Sequence, residues 1–109
     1  MSAFTSSIGP QIERFLAHKR ALGRTYYREE AFLREFDRFA LREKNDFVSE
    51  NLVRVYLSAF SQPARPNRLT VIHQLGRFLV FEEPRTFIPS TRFLGIHRQR
   101  PVIRVLSRA

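Results

Sequence analysis

Apolar positions recur every three or four residues through most of this chain, and breaks in that rhythm divide it into four helices. Ile12, Phe15, Leu16, Lys19 and Leu22 fall at helical spacing behind Pro10, whose fixed φ suits a first turn, and Gly23 closes the element. Thr25 is the expected N-cap of a second helix, where a hydroxyl accepts a free backbone N–H. Phe32, Leu33, Phe36, Phe39 and Ala40 form its apolar stripe, with Glu30, Arg34, Asp37 and Arg38 on the opposite side. The charged run from Arg42 to Asp46 reads as a loop. Ser49, followed by Glu50, caps a third helix that is apolar nearly all round through Leu52, Val53, Val55, Tyr56, Leu57 and Phe60. Such a helix is expected to be the buried one. Ser61 to Pro66 is a break, and a fourth helix runs from Asn67 to Glu83. Val71, Ile72, Leu75, Phe78 and Leu79 share one side of it. Asn67, Thr70, His73, Gln74 and Arg77 share the other, and that face holds no acid.

The rhythm fades after Pro84, where Pro89, Gly95 and Pro101 interrupt scattered apolar residues. The expected organisation is a short N-terminal tail over 1–9, a compact all-α bundle of four short helices over 10–83, and an extended, partly docked basic segment over 84–109. With 109 residues the chain suits a single core. That core should be aromatic, since the chain has 11 Phe and 3 Tyr but no Trp. There is no internal repeat and no low-complexity tract.

Charge changes what the bundle is expected to do. The net charge is +9, and Lys19 and Lys44 are the only lysines, so arginine supplies nearly all the positive charge. Arginine's planar fork pairs with phosphate and with guanine edges, which favours a nucleic-acid partner over a solubilising role. The distribution is uneven. All ten acids lie before Pro84, balanced by thirteen basic residues, whereas the remaining stretch has six arginines and no acid. A near-neutral body thus precedes a cationic tail.

Chemistry of other kinds finds no foothold. Glu29–Glu30 and Glu82–Glu83 are adjacent pairs that point to different faces of a helix, unlike a catalytic pair converging on one cleft. His18, His73 and His97 stand in three separate segments without metal-ligand spacing, and the 4 Gly form no phosphate loop. The absence of cysteine excludes disulfides and thiolate metal sites. No catalytic residue, metal, cofactor or small-molecule substrate is therefore expected. Residues 1–9 lack the pattern of a signal peptide, and no apolar run approaches the roughly 18 residues that span a bilayer. The expected setting is cytoplasmic, without a membrane partner.

Binding of duplex DNA is better supported. A helix N-terminus offers free N–H groups and a positive dipole end to phosphate. Arg24, Thr25 and Arg28 decorate one such end, and Arg65, Asn67 and Arg68 another. The polar face of the fourth helix suits a major groove, where Asn and Gln read adenine and Arg reads guanine. Of Tyr26 and Tyr27, one is expected to pack and the other to meet a phosphate.

The order of these features resembles the N-terminal core-binding domain of tyrosine recombinases, the phage-integrase family, whose four-helix fold is called SAM-like. The likeness rests on FLAHKRALG at 15–23, Phe36 to Phe39 in a Thr-led helix, FVSENL at 47–52, PNRLTVI at 66–72, RFL at 77–79, Ile88–Pro89 and Arg100–Pro101. It implies one half of a clamp around a recombination site, with other recombinase protomers as further partners. Arg24, Thr25 and Tyr26 would lie near the DNA backbone, and Asn67, Arg68, Thr70, Gln74 and Arg77 would face a groove. Lys19, Arg28, Arg65 and His73 are expected among the DNA-binding residues as well. The tail would be the linker crossing the duplex, with Arg92, Arg98 and Arg100 as its contacts. His97-Arg-Gln-Arg100 has the spacing of the family's catalytic His-x-x-Arg motif, but it stands in the linker. No tyrosine follows Tyr56, so the catalytic half is not expected within this chain. Two other readings carry weight: a helical protein-interaction module that assembles recombinase protomers, and, from charge alone, an RNA-binding protein.

Overall fold

The computed structural model describes residues 4–90 and 92–95, and within them four α-helices pack into an all-α bundle with no strand. Helix α1 spans Gly9–Ala21, α2 Tyr27–Glu43, α3 Glu50–Ser58 and α4 Arg65–Leu79. Short 3-10 turns occupy Gln62–Ala64 and Phe93–Gly95.

Each helix forms and stops for local reasons. Pro10 lies in the first turn of α1, and Ile12, Phe15 and Leu16 are its buried positions. At its end the Gly23 N–H bonds to Arg20 C=O (2.9 Å) and the Arg24 N–H to Lys19 C=O (3.2 Å). Gly23 takes φ +92° to make this double return, a conformation that costs glycine little. Helix α2 runs two residues into the expected loop, to Glu43. Lys44, at φ 59°, takes the left-handed turn there, and Asn45 N–H reaches back to Ala40 C=O at 3.0 Å. Ser49 caps α3 as anticipated, its Oγ accepting from Leu52 N–H at 3.1 Å. Helix α4 starts two residues before Asn67, because Pro66 fits its first turn rather than ending the break. It ends at Leu79, whose carbonyl then accepts from Glu82 and Glu83.

The core is aromatic, as composition suggested. Phe15, Phe36 and Tyr56 are fully buried, and Phe36, Phe39 and Phe60 surround the Tyr56 ring at centroid distances of 5.2–5.4 Å, with Phe39 and Phe60 6.5 Å from each other. Helix α3 is one-sided rather than buried all round. Leu52, Val53, Tyr56 and Leu57 face inward while Asn51, Arg54 and Ser58 are exposed.

Two further expectations change. The N-terminal stretch is no loose tail over its described part, because Phe4 and Ile8 enter the core. Asp37, assigned to a solvated face, is 2% exposed and holds that stretch in place. Its carboxylate accepts from the Thr5 and Ser6 N–H groups at 2.9 and 3.1 Å and from Ser6 Oγ at 2.5 Å. A buried carboxylate with three donors is satisfied, which removes the usual penalty for such a group.

Beyond α4 the chain doubles back as a strap. Phe87 N–H bonds to Val48 C=O at 2.7 Å, Thr86 and Pro89 are buried, and the Phe87 ring packs at a tilt against Phe93, 5.2 Å between centroids. The strap lies so close to α4 that a Cβ on Gly76 would come within 3.1 Å of Phe87 O. No helix among the described residues is long and apolar enough to cross a membrane.

Candidate functional site

Arginines that look equivalent in the sequence have quite different surroundings. At the N-terminal end of α4, Arg65 and Arg68 are turned inward. Arg65 Nε donates to Leu57 O and Phe60 O, both at 2.9 Å, and so caps the carboxyl end of α3. Arg68 forms a two-pronged pair with Glu35, Nε to Oε1 at 2.9 Å and Nη2 to Oε2 at 3.2 Å. Its guanidinium lies 4.3 Å from the Phe32 ring centroid and 4.0 Å from that of Phe60. Tyr56 Oη completes the group 2.9 Å from Glu35 Oε1. Burial, followed by the Glu35 charge, drives the Tyr56 hydroxyl far above its ordinary pKa. The Glu35 hydrogen bond raises that of Arg68, so both protons stay in place.

The other end of the predicted surface is open. Where α1 ends and α2 begins, Arg24, Thr25 and Arg28 are exposed, and Lys19 lies 5.6 Å over the Phe15 ring. Among the described residues no ion pair engages Lys19, Arg24 or Arg77, and Arg28 meets Glu29 only at 3.7 Å. Arg20, in the same turn as Lys19, is by contrast held by Glu30 at 2.5 Å, and Glu30 also takes Arg34. The Arg20 hydrogen bond lowers the Glu30 pKa most, with Arg34 adding to it.

Thr25 does not cap α2. Tyr26 occupies the cap position instead, at φ 56°, with no side-chain cap. That left-handed backbone costs on the order of 1 kcal/mol for a non-glycine residue. The tyrosine ring is 8% exposed, packs 6.0 Å from the Phe15 ring, and donates its hydroxyl to Gln74 Oε1 at 2.5 Å. Burial raises the hydroxyl's pKa, with Glu29 adding and Arg24 opposing. Of the tyrosine pair, Tyr26 therefore packs while Tyr27 stands 76% exposed, an assignment their adjacency in sequence left open.

The Tyr26–Gln74 bond ties α4 to the α1–α2 junction. Along the outer line of α4, Thr70 and Arg77 are exposed and Gln74 and His73 half-buried. Thr70 Oγ1 donates to Pro66 O at 3.0 Å, and Pro89 O accepts from His73 Nδ1 at 2.8 Å. Asn67 is half-buried on the same line, one turn before Thr70. Through the Tyr26–Gln74 bond the exposed Thr70–Arg77 line of α4 is joined to the junction that carries Lys19 and the exposed Arg24, Thr25 and Arg28. Arg65 and Arg68 belong to a different cluster. Arg92 is exposed beyond the strap, and Arg98 and Arg100 lie outside the described residues, as does the His97–Arg100 motif.

The adjacent carboxylates are engaged separately. Glu82 pairs with Arg14, and Glu83 with Arg85, which holds the Glu83 pKa down to about 2. No group of three or more His, Cys, Asp or Glu able to hold a metal occurs among the described residues. No family model matches this chain, and neither a curated protein nor a solved structure matches it.

Proposed function

We propose that this chain is the DNA-binding core-binding domain of a tyrosine recombinase, gripping one side of a recombination site and contributing no catalytic group. The observation that carries this reading is the surface at the α1–α2 junction. Lys19 and Arg24 there, and Arg77 on α4, have no ion-pair partner among the described residues, Arg28 is exposed, and Tyr26 holds the Gln74 amide. Cations left unpaired at a folded surface cost little in water but gain strongly from phosphate, through bidentate hydrogen bonds and counterion release. The resemblance of the helix order to that domain supplies the partner: a duplex, with further protomers bound alongside. Fluorescence anisotropy with a labelled duplex tests the proposal. Binding should weaken steeply as salt rises, and its absence even at low salt overturns the reading.

A protein-interaction module is the second reading, favoured by Phe81, which is 91% exposed just past α4. Light scattering separates the two, since self-association without DNA supports the second.

A further inference from the structure

His73 stands on the outer line of α4 with one of its two ring nitrogens already committed. Pro89 offers only a carbonyl, which accepts, so the 2.8 Å contact makes Nδ1 the protonated nitrogen. In the neutral ring Nε2 then carries a lone pair, and it has no hydrogen-bond partner among the described residues. Among the described residues of α4, the strap and α1, the charged groups that flank this ring are cationic or engaged elsewhere. On α4, Arg77 lies one turn ahead and no acid occurs between Arg65 and Leu79. On the strap, Arg85 is held by Glu83, and Arg92 follows beyond Pro89. On α1, His18 lies against Phe78, on the far flank of α4 from Pro89.

We infer that His73 Nε2 is a phosphate contact of this surface, and that duplex binding takes up a proton there. The inference rests on the DNA-binding reading. A lone pair facing a phosphate oxygen is repulsive, whereas an imidazolium donates a charge-assisted bond from Nε2 while keeping Nδ1–H on Pro89. Protonation therefore adds a donor without releasing the strap, so the fold is the same in both states. A phosphate at Nε2 favours the charged ring. Affinity should accordingly be high at low pH and fall as pH rises through the histidine range.

Anisotropy titrations at constant salt between pH 5.5 and 8 test this. The wild-type chain should bind about tenfold more tightly at the acid end. His73→Asn keeps an amide donor near the position of Nδ1 but has no titrating nitrogen. It should bind with little change across that range and melt close to wild type. His18→Asn and His97→Asn should keep the wild-type rise. A full rise surviving in His73→Asn overturns the inference, as does a rise that disappears in His18→Asn. Calorimetry of the unmodified protein, in buffers of different ionisation enthalpy, adds a readout independent of any variant. Net uptake of about half a proton per domain, the amount a tenfold change in affinity implies, is expected within that range, and none overturns the inference. Salt-sensitive binding that ignores pH sinks this inference alone, whereas no duplex binding at any pH sinks the DNA-binding reading with it.

Discussion

The two ends of the arginine-rich surface around α4 make opposite use of the same residue type. Arg65 and Arg68 are spent on the fold: one caps α3, and the other is stacked between Phe32 and Phe60 and forked onto Glu35. Arg24 and Arg77 have no such acid opposite them and stay exposed. The difference lies in the neighbouring helix rather than in the arginines. Glu35 of α2 faces α4 at one place, and no acid of α1 or α2 pairs with Arg77 at the other. An arginine's role in such a bundle is therefore set by whether a carboxylate is waiting across the helix–helix contact.

The largest effect should come from breaking the internal cluster. The Arg68 side chain is 15% exposed, and Arg68→Ala strands the Glu35 carboxylate and removes the two ring contacts. Loss of a partly buried pair of this kind should destabilise the domain by about 2–4 kcal/mol, read from urea denaturation. Duplex affinity of the folded fraction should change little. If stability holds and DNA affinity collapses, the division between the two ends is wrong.

At the open end the expectation is reversed. Arg24→Ala together with Arg77→Ala should lower duplex affinity about tenfold and reduce the slope of log affinity against log salt by about 2. Unfolding free energy should stay within about 0.5 kcal/mol of wild type, as for surface changes that touch no partner. A matching loss of stability would place these residues in the fold instead.

Tyr26→Phe probes the join between the two ends. It leaves the ring and the left-handed backbone but removes the hydroxyl donor to Gln74, and should cost about 1 kcal/mol in the same denaturation assay. No loss at all would mean that this bond does not hold α4 to the junction.

Much of the fold was legible because it depends on periodicity. The four helices, the Ser49 cap and the inward faces of α1 and α4 follow from apolar spacing and local capping chemistry. What was hidden depends on long-range pairing. Asp37 sits at a position that spacing assigns to solvent, and is buried because the Thr5–Ser6 backbone arrives with three donors. Thr25 is a better cap than Tyr26 by local preference, yet the Tyr26 ring gains a place against Phe15 and a partner in Gln74, 48 residues away. The acid-free face of α4 was visible in the sequence, but not that Arg68 beside it is taken up by Glu35 or that the strap lies along one flank at His73. No single helix contains the information that separates a structural arginine from an available one.

Glu30 offers the finest test of that separation, because its carboxylate pairs with both Arg20 and Arg34, whereas Arg24 has no acid partner among the described residues. Both arginines reach its carboxylate at 2.5 Å, and their hydrogen bonds lower its pKa. A lowered folded-state value means a contribution present at neutral pH and lost as pH falls through the carboxylate range. With Arg20 and Arg34 both largely exposed, that contribution should stay below about 1 kcal/mol. Glu30→Gln should therefore cost little stability and flatten part of the acid limb of the stability profile. It also releases two cations beside the Lys19–Arg24 surface, so duplex affinity at low salt should rise about threefold, with a steeper salt dependence. An unchanged affinity would show that charge added at this edge does not reach the DNA, and would confine the binding surface to Arg24, Arg77 and their immediate neighbours.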